Sequence, residues 1–285
     1  MRFSYLVILA ILPSWLLAGE RPSFKPKVEI EHRFLNSTGL VDTGGQFAFN
    51  ANKISISNLF ASFEYERWEL DWNEVDKLPF GDGKNQPVDQ MHSVRLAGRY
   101  MHRHNSNLLW LNTLGVSATY EKDQNDSLSY SLFSMWISQL DEDWALSYGL
   151  SVNYHPVRTR VLPVAGFSYR IHAPLGWSGT LGYPRSYLAY GFSPTWQVNA
   201  GVVNNSVVAK LAKDSRLSEN GYAEINAWQA NLALKYQPSA QWSIETGLRY
   251  SPKYEFSVFD AQGRRDATYQ MNRTAGAALT FSYQF

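Results

Sequence analysis

Charged residues recur at even spacing in three parts of the sequence, and this spacing can build a surface that discriminates between ions. On a β-strand, residues separated by an even number of positions project from the same face. If these faces line a water-filled passage, the charges form a constriction that selects solutes by sign. Alternatively, opposite charges on neighbouring strands pair with each other and fill the wall. The candidate pore-lining residues are Glu64, Glu66, Arg95, Arg99, Lys235, Glu245 and Arg249.

One tetrapeptide has the composition of a catalytic site. His104-Asn105-Ser106-Asn107 has the form H-x-S-N, which resembles a motif of outer-membrane phospholipase and lipid A deacylase barrels. The resemblance implies His104 as the base and Ser106 as the nucleophile. However, Asn105 replaces an aliphatic residue, and the segment falls in a predicted periplasmic turn, whereas those enzymes act on the outer leaflet. We therefore interpret it as a polar turn and predict no catalytic residue and no enzymatic activity.

The composition argues against several other classes of site. The chain has no cysteine, which excludes disulfides and thiolate metal ligands, and its net charge of +1 gives no electrostatic reason to bind nucleic acid. His92, His155 and His172 are isolated in the sequence, so we predict no metal site and no cofactor. No phosphate-binding glycine loop or nucleophile elbow is present.

The last eleven residues show the pattern of a membrane-spanning strand. Ala275 to Phe285 reads A-G-A-A-L-T-F-S-Y-Q-F, with apolar residues at odd positions from Ala277 and small or polar residues at even positions. This period of two gives the strand one apolar face and one polar face. A spanning strand needs about 9–11 residues, and an aromatic residue commonly marks its interface with water.

This terminal strand resembles that of Gram-negative outer-membrane barrels, which alternate in the same way and close on a phenylalanine. The resemblance implies an antiparallel, up-and-down transmembrane β-barrel in the cell outer membrane, with short periplasmic turns and longer extracellular loops. It also implies that the barrel-assembly machinery recognises Tyr283 and Phe285. Outer-membrane lipid and lipopolysaccharide are the other expected partners.

The amino terminus indicates export. Arg2 precedes an apolar stretch from Phe3 to Leu12, Pro13 interrupts it, and Ala18 is a suitable residue before a cleavage site. We therefore predict a signal peptide over residues 1–18 and a single barrel domain over residues 19–285. The export signal carries the chain to the periplasm before insertion.

Aromatic residues make up 15% of the chain and follow a positional rule. Several tryptophans each lie just after a predicted short turn, and a bilayer explains this because each strand crosses the same interface. These residues predict a periplasmic aromatic girdle formed by Trp110, Trp144, Trp177, Trp196 and Trp242.

Counting hairpins predicts fourteen strands, or twelve if either the Phe34–Phe49 or the Trp177–Phe192 pair does not span. After Arg67 the apolar residues change from odd to even positions, with Trp68, Leu70 and Trp72, which predicts a bulge or a strand that leaves the membrane. Lys210 to Glu224 is predicted to be a polar outer loop.

Three functions are compatible with such a barrel. Twelve to fourteen strands enclose a lumen wider than wall side chains alone fill, which favours a passive, porin-like pore for small solutes. A structural or surface-binding barrel is the alternative, with loop aromatics such as Tyr254, Phe256 and Phe259 as contacts. A lipid hydrolase based on His104 and Ser106 is the third.

Overall fold

The computed structural model describes residues 25–41, 44–122, 125–170 and 174–285. The predicted signal peptide and His172 lie outside these residues. One short 3-10 helix, Val75–Lys77, interrupts a chain that is otherwise strand and connection in the described part. The strands are β1 (Lys27–Gly39), β2 (Gln46–Ser57), β3 (Ala61–Asn73), β4 (Gln90–Asn105), β5 (Leu108–Tyr120), β6 (Leu128–Gln139), β7 (Trp144–His155), β8 (Arg158–Tyr169), β9 (Gly176–Tyr183), β10 (Arg185–Gly191), β11 (Trp196–Lys210), β12 (Tyr222–Tyr236), β13 (Trp242–Phe259), β14 (Arg265–Met271) and β15 (Thr274–Gln284).

The strands form one closed antiparallel barrel. Consecutive strands pair from β1 to β13, and β15 pairs with both β13 and β1, which closes the cylinder. β14 pairs with the C-terminal part of β13, from Tyr254 to Phe259, and β15 pairs with its N-terminal part, from Trp242 to Ser251. β14 and β15 therefore act together as one wall strand. The barrel therefore has fourteen wall strands, the larger of the two numbers predicted from the sequence.

The outward face of the wall is apolar. Leu114, Leu181 and Leu248 are 65%, 76% and 66% exposed, and they belong to a belt of exposed leucine, valine and aromatic side chains. Closure pairs the edges of the sheet, so lipid meets only side chains and not free backbone groups. The described part contains no helix that is long and apolar enough to cross a membrane.

The two ends of the barrel differ. We call the end that holds Lys27 and Gln284 the inner end and the opposite end the outer end. Connections at the inner end are short, such as residues 106–107 and 140–143. The outer end carries the longest connections, residues 74–89 and 211–221, but also a very short one, residues 156–157. The turn between β9 and β10, Pro184 alone, faces the same way but lies lower in the wall, because Tyr183 pairs with Ala165 in the middle of β8.

Of the two alternatives predicted after Arg67, the bulge is wrong, while a strand that leaves the membrane stays a prediction. β3 keeps an unbroken register with β2 from Ser62 to Asn73 and with β4 from Ala61 to Glu69. Trp68, Leu70 and Trp72 therefore lie on the same inward face as Glu64 and Glu66. The apolar positions change parity because the lumen itself becomes apolar near the outer end, and the strand does not shift.

The predicted polar outer loop from Lys210 to Glu224 is present but shorter than predicted, and part of it is apolar and buried. β11 continues to Lys210 and β12 begins at Tyr222, so the connection is only residues 211–221. Within it Leu211 and Leu217 are buried, at 2% and 7% exposure. These leucines need an apolar surface to pack on, and the outer lumen supplies it.

Candidate functional site in the barrel lumen

A polar cavity of about 330 Å³ lies in the lumen toward the outer end, with strands β3 to β8 on one side and β11 on the other. Glu64, Glu66 and Arg95, three of the predicted pore-lining residues, line it. Because side chains alternate along each strand, the same inward parity brings small hydroxyl side chains from the neighbouring strands to this wall. These are Ser93, Ser117, Thr119, Ser129 and Ser151.

A network of charges crosses the inner wall beside this cavity. The Glu31 carboxylate lies 2.9 Å from Lys53 Nζ and 3.7 Å from Arg33 Nε, and it also pairs with the Arg249 guanidinium. Arg33 in turn pairs with Glu66. The Glu31 side chain is only 8% exposed, so three cations surround one nearly buried carboxylate. Arg249 and Glu66 thus follow the pairing alternative.

Arg95 and Arg99 behave differently. Arg95 lies opposite Glu64 in the β3–β4 ladder, and Arg99 lies on the same face, four residues further toward the inner end. Among the described residues, no carboxylate oxygen lies within 4.0 Å of either guanidinium. Their positive charge therefore remains available to ions in the lumen.

Lys235 and Glu245 face each other near the inner end. They are partners in the β12–β13 ladder, and Glu245 accepts a hydrogen bond from Asn199 Nδ2 at 3.2 Å. The seven predicted residues consequently lie on the inward face but not in one ring. They are spread along the lumen, with Glu64, Glu66 and Arg95 together in the cavity.

The upper β11–β12 hairpin crosses the lumen. β10 pairs with β11 only from Gln197 to Val203. From Asn204 to Ala209, β11 pairs with β12 on one side and has no paired strand on the other. Its last residue, Lys210, pairs with Tyr120 of β5, on the nearly opposite side of the barrel, and the Glu121 N–H donates to the Lys210 carbonyl at 2.9 Å. The hairpin tip therefore spans the outer opening.

The hairpin presents different faces to the two parts of the lumen that it separates. Asn204, Ser206 and Val208 of one face line the polar cavity. The other face carries Ala209 and Ala223 into an apolar cluster. This outer apolar cluster consists of Leu35, Phe47, Leu70, Trp72, Val88, Met91, Ala209, Leu211, Leu217, Ala223, Ala227, Tyr254, Phe256, Val258 and Met271.

The cluster corrects the proposed role of three aromatic residues. Tyr254, Phe256 and Phe259 are 3%, 4% and 3% exposed, so they do not form a contact surface on the outer loops. Phe256 instead packs against Trp72, with ring centroids 6.1 Å apart. β13 extends to Phe259 and directs the rings of Tyr254 and Phe256 into the cluster, which explains why a segment predicted to be a loop is rich in aromatics.

Polar contacts join the loops above the hairpin. Lys122 Nζ lies 2.8 Å from the Asp214 carboxylate, and this hydrogen bond holds the pKa of Asp214 below its usual value. Arg216 lies 3.7 Å from Asp82 and donates to the Gln86 carbonyl at 3.3 Å. Connection 211–221 is thereby attached to the β5–β6 connection through Lys122 and to the β3–β4 connection through Asp82 and Gln86.

Asp82 also organises its own loop. The Asn85 side chain and the backbone N–H groups of Asn85 and Lys84 donate to its carboxylate at 2.7–2.9 Å. These hydrogen bonds stabilise the ionised form and hold the pKa of Asp82 far below its usual value.

Several lumen residues were missed in the sequence. Arg158 and Arg160 line the cavity, and Arg158 pairs with the buried Glu224, which also accepts from Ser206 Oγ at 2.6 Å. The alternation of Arg158 and Arg160 was the available signal, because both fall on one face of a strand. Glu224 had no such signal, since its segment was taken for a loop.

The H-x-S-N tetrapeptide lies at the inner end, where the sequence placed it. His104 and Asn105 end β4, and Ser106 and Asn107 form the turn to β5. His104 and Ser106 are exposed, and the described residues show no hydrogen bond between their side chains. The other contacts are those of a turn, with Asn105 Oδ1 accepting from the Asn107 N–H at 2.9 Å.

The five tryptophans lie at the inner ends of their strands and contact other rings. Trp144 and Tyr169 have centroids 4.6 Å apart, and Trp196 and Tyr236 have centroids 4.5 Å apart. Trp110, Trp177 and Trp242 make similar contacts with neighbouring aromatic rings. In the described part of the chain, no group of three or more histidine or acidic residues is placed to hold a metal ion.

Comparison with known proteins gives likeness at the level of fold. No protein-family model matches the sequence, and no curated protein matches it. An outer membrane channel from Pseudomonas putida F1 is 12% identical, with 96% of this chain and 100% of that chain covered and a TM-score of 0.46. The KdgM porin, solved in complex with disordered oligogalacturonate, is 10% identical, covers 90% and 99%, and has a TM-score of 0.38.

An enzyme appears among the similar structures as well. The outer membrane protease OmpT from Escherichia coli is 10% identical, with 93% of this chain and 99% of that chain covered and a TM-score of 0.30. At identities of 12% or less, these matches concern barrel architecture and leave function to be argued from the lumen itself.

Proposed function

We propose that this chain is a passive outer-membrane channel for small polar solutes. The observation that carries the proposal is the lumen, since fourteen strands enclose a space that is lined by serine, threonine, glutamate and arginine side chains. Wall side chains alone do not fill a barrel of this size. The hydroxyl and charged side chains keep this part of the interior hydrated, which a passage for polar solutes requires.

Delivery to the membrane is part of the same proposal. Residues 1–18 direct export and are removed, and residues 19–285 insert as the barrel. Tyr283 and Phe285 serve as the signal for the barrel-assembly machinery, while the girdle tryptophans hold the inner rim at the periplasmic interface. Lipopolysaccharide surrounds the outer end.

A hydrolase function has less support from the geometry. His104 and Ser106 are at the inner end of the barrel and outside the lumen cavity, and Asn105 and Asn107 give the segment the hydrogen bonds of a turn. A surface-binding function loses its proposed aromatic contacts because Tyr254, Phe256 and Phe259 are buried. The lumen is therefore the better candidate for function.

The test is conductance of the purified barrel in a planar lipid bilayer. We expect discrete single-channel steps and some preference for anions. Replacing both Arg95→Ala and Arg99→Ala removes two unpaired positive charges from the lumen, and we expect the reversal potential in a salt gradient to shift toward cations.

Arg264→Ala serves as the control, because Arg264 lies in an outer turn with its side chain 77% exposed. It removes a positive charge without changing the lumen, so its reversal potential should match that of the unmodified barrel. A folded barrel that gives no conductance steps would overturn the proposed function.

A further inference from the structure

Three residues that line the lumen cavity each carry a buried hydrogen-bond donor without an acceptor in the described part of the protein. The donors are Nε1 of Trp68, Nε2 of His155 and Nε of Arg158. His155 is 4% exposed, so its ring is held inside the protein and does not turn toward bulk solvent. Buried polar groups are nearly always hydrogen-bonded, and three exceptions among the residues that line one cavity, on β3, β7 and β8, indicate a place for an acceptor-rich ligand.

The protonation of His155 follows from its other nitrogen. The backbone N–H of Val157 donates to Nδ1 at 3.1 Å, so Nδ1 carries a lone pair. In the neutral ring the proton is then on Nε2, which makes this atom a donor. His155 also packs edge-on against Tyr222, with centroids 5.4 Å apart, and this contact fixes the ring.

Arg95 and Arg158 are two of the three arginines that line the same cavity, the third being Arg160. Arg158 pairs with Glu224 through Nη2, while its Nε has no partner among the described groups. Arg95 lines the cavity and has no described carboxylate within 4.0 Å. Guanidinium groups bind carboxylates in a planar, bidentate geometry, so this pair favours a carboxylate on the ligand.

Other lining groups indicate hydroxyls on the ligand. Glu64 and Glu66 both line the cavity and disfavour a ligand that is only an anion. Glu66 is paired with Arg33, whereas Glu64 can accept from a hydroxyl group on the ligand. Ser117, Ser129 and Ser151 both donate and accept. The volume of about 330 Å³ lies at the lower end of the range for small-molecule sites, about 300–1,000 Å³.

We propose that the lumen cavity is a binding subsite for a small hydroxylated carboxylate of sugar-acid size. This inference rests on the proposed channel function, because a solute in transit would reach the cavity through the lumen. Arg95 and Arg158 hold the carboxylate. Trp68 and His155 donate to its hydroxyl oxygens, and Glu64 accepts from its hydroxyl protons.

The first experiment measures binding by isothermal titration calorimetry on the full-length barrel folded in detergent. Glucuronate is the probe, and glucose is the matched neutral sugar. We expect saturable binding of glucuronate and at least about tenfold weaker binding of glucose, since a hydrogen bond to a charged group contributes about this factor. No glucuronate binding, or equal binding of glucose, would overturn the proposal.

Two conservative variants locate the site. In His155→Asn the amide oxygen can still accept from the Val157 N–H, but the Nε2 donor is lost, and we expect about tenfold weaker glucuronate binding. Trp68→Phe removes the indole donor while keeping an aromatic ring, with a similar expected loss. The matched controls are His104→Asn in the inner turn and Trp136→Phe, whose ring stacks on Trp110 with centroids 5.4 Å apart. Unchanged binding in both cavity variants would refute the assigned site.

Conductance separates this inference from the channel function. Binding of glucuronate by a barrel that gives no single-channel steps would retain the subsite and reject the channel. Steps that are not reduced by glucuronate, together with no calorimetric binding, would retain the channel and reject the subsite.

Discussion

Glu31 shows how the lumen handles charge at the scale of a single residue. Its nearly buried carboxylate is in contact with Lys53, Arg33 and Arg249. Removing one member of such a group leaves the others without compensation, which costs more than the loss of a solvent-exposed ion pair. The period of two places Glu31 and Arg33 on one face of β1, away from Ile30 and Phe34, but no local pattern shows that Arg249 reaches them from another strand.

We expect Glu31→Gln to lower the free energy of unfolding by about 2 kcal/mol, because three cations lose their shared carboxylate. Urea unfolding in detergent, followed by circular dichroism, measures the change. Glu29→Gln is the matched control, since Glu29 lies on the same face and pairs with a Lys27 side chain that is 42% exposed. The control should change stability by less than about 0.5 kcal/mol. Equal effects would show that the network is not the cause.

At the scale of elements, the two-faced pattern changes along a single strand. β3 has glutamates on its inward face near the middle of the barrel and Trp68, Leu70 and Trp72 on the same face near the outer end. The outer apolar cluster makes this possible, because the β11–β12 hairpin and connection 211–221 cover the rings. Such a lumen is part hydrated passage and part hydrophobic core.

Trp72→Ala tests this core. Trp72 is 5% exposed, stacks on Phe47 at 5.1 Å and donates to the Val88 carbonyl at 2.8 Å. We expect a loss of about 3–5 kcal/mol in unfolding free energy, as for buried aromatic residues elsewhere. Trp177 faces away from the lumen near the inner end and is 54% exposed, so Trp177→Ala should lower the unfolding free energy clearly less. A similar cost at both positions would contradict a packed core inside the outer lumen.

The attachment of connection 211–221 should depend on pH. Because the folded pKa of Asp214 is depressed, its contact with Lys122 contributes above the usual carboxyl pKa of about 3.9 and is lost as the pH falls through the folded value. Amide hydrogen exchange, expressed as protection factors, should therefore show loosening of residues 211–221 in acid.

Asp214→Asn should loosen the same residues already at neutral pH, since the ion pair with Lys122 is absent at every pH. Lys213→Ala, at the exposed neighbouring position, provides the control and should leave protection unchanged. If the amide protection factors of residues 211–221 are the same in Asp214→Asn as in the unmodified protein, the ion pair does not hold this connection.

At the scale of the whole molecule, local periodicity was sufficient for the barrel and insufficient for its interior. Alternation along each strand and the short turns between strands predicted twelve to fourteen antiparallel strands, and the strand pairing gives fourteen. The same alternation placed Glu64, Glu66 and Arg95 on the inward face. It treated inward as polar, however, and so it interpreted the apolar inward residues of β3 and the β11–β12 tip as a bulge and a loop.

The interior was harder to predict for a physical reason. Contacts across the lumen join strands that are distant in sequence and not hydrogen-bonded neighbours, such as Lys210 with Tyr120. No local period reports them. The grouping of His155, Arg158 and Glu224 depends on the short β9–β10 hairpin, above which β11 leaves the wall and turns inward.

The central claim is that side chains of the wall strands face the lumen and the lipid alternately, and that the lumen conducts ions. The native chain has no cysteine, so single cysteines can be placed without background. In a planar bilayer, a charged, water-soluble thiol reagent should reduce the single-channel current of Ser117→Cys, which lines the cavity, and leave Val116→Cys unchanged. Absence of channel steps, or equal modification of the two neighbouring positions, would contradict the account.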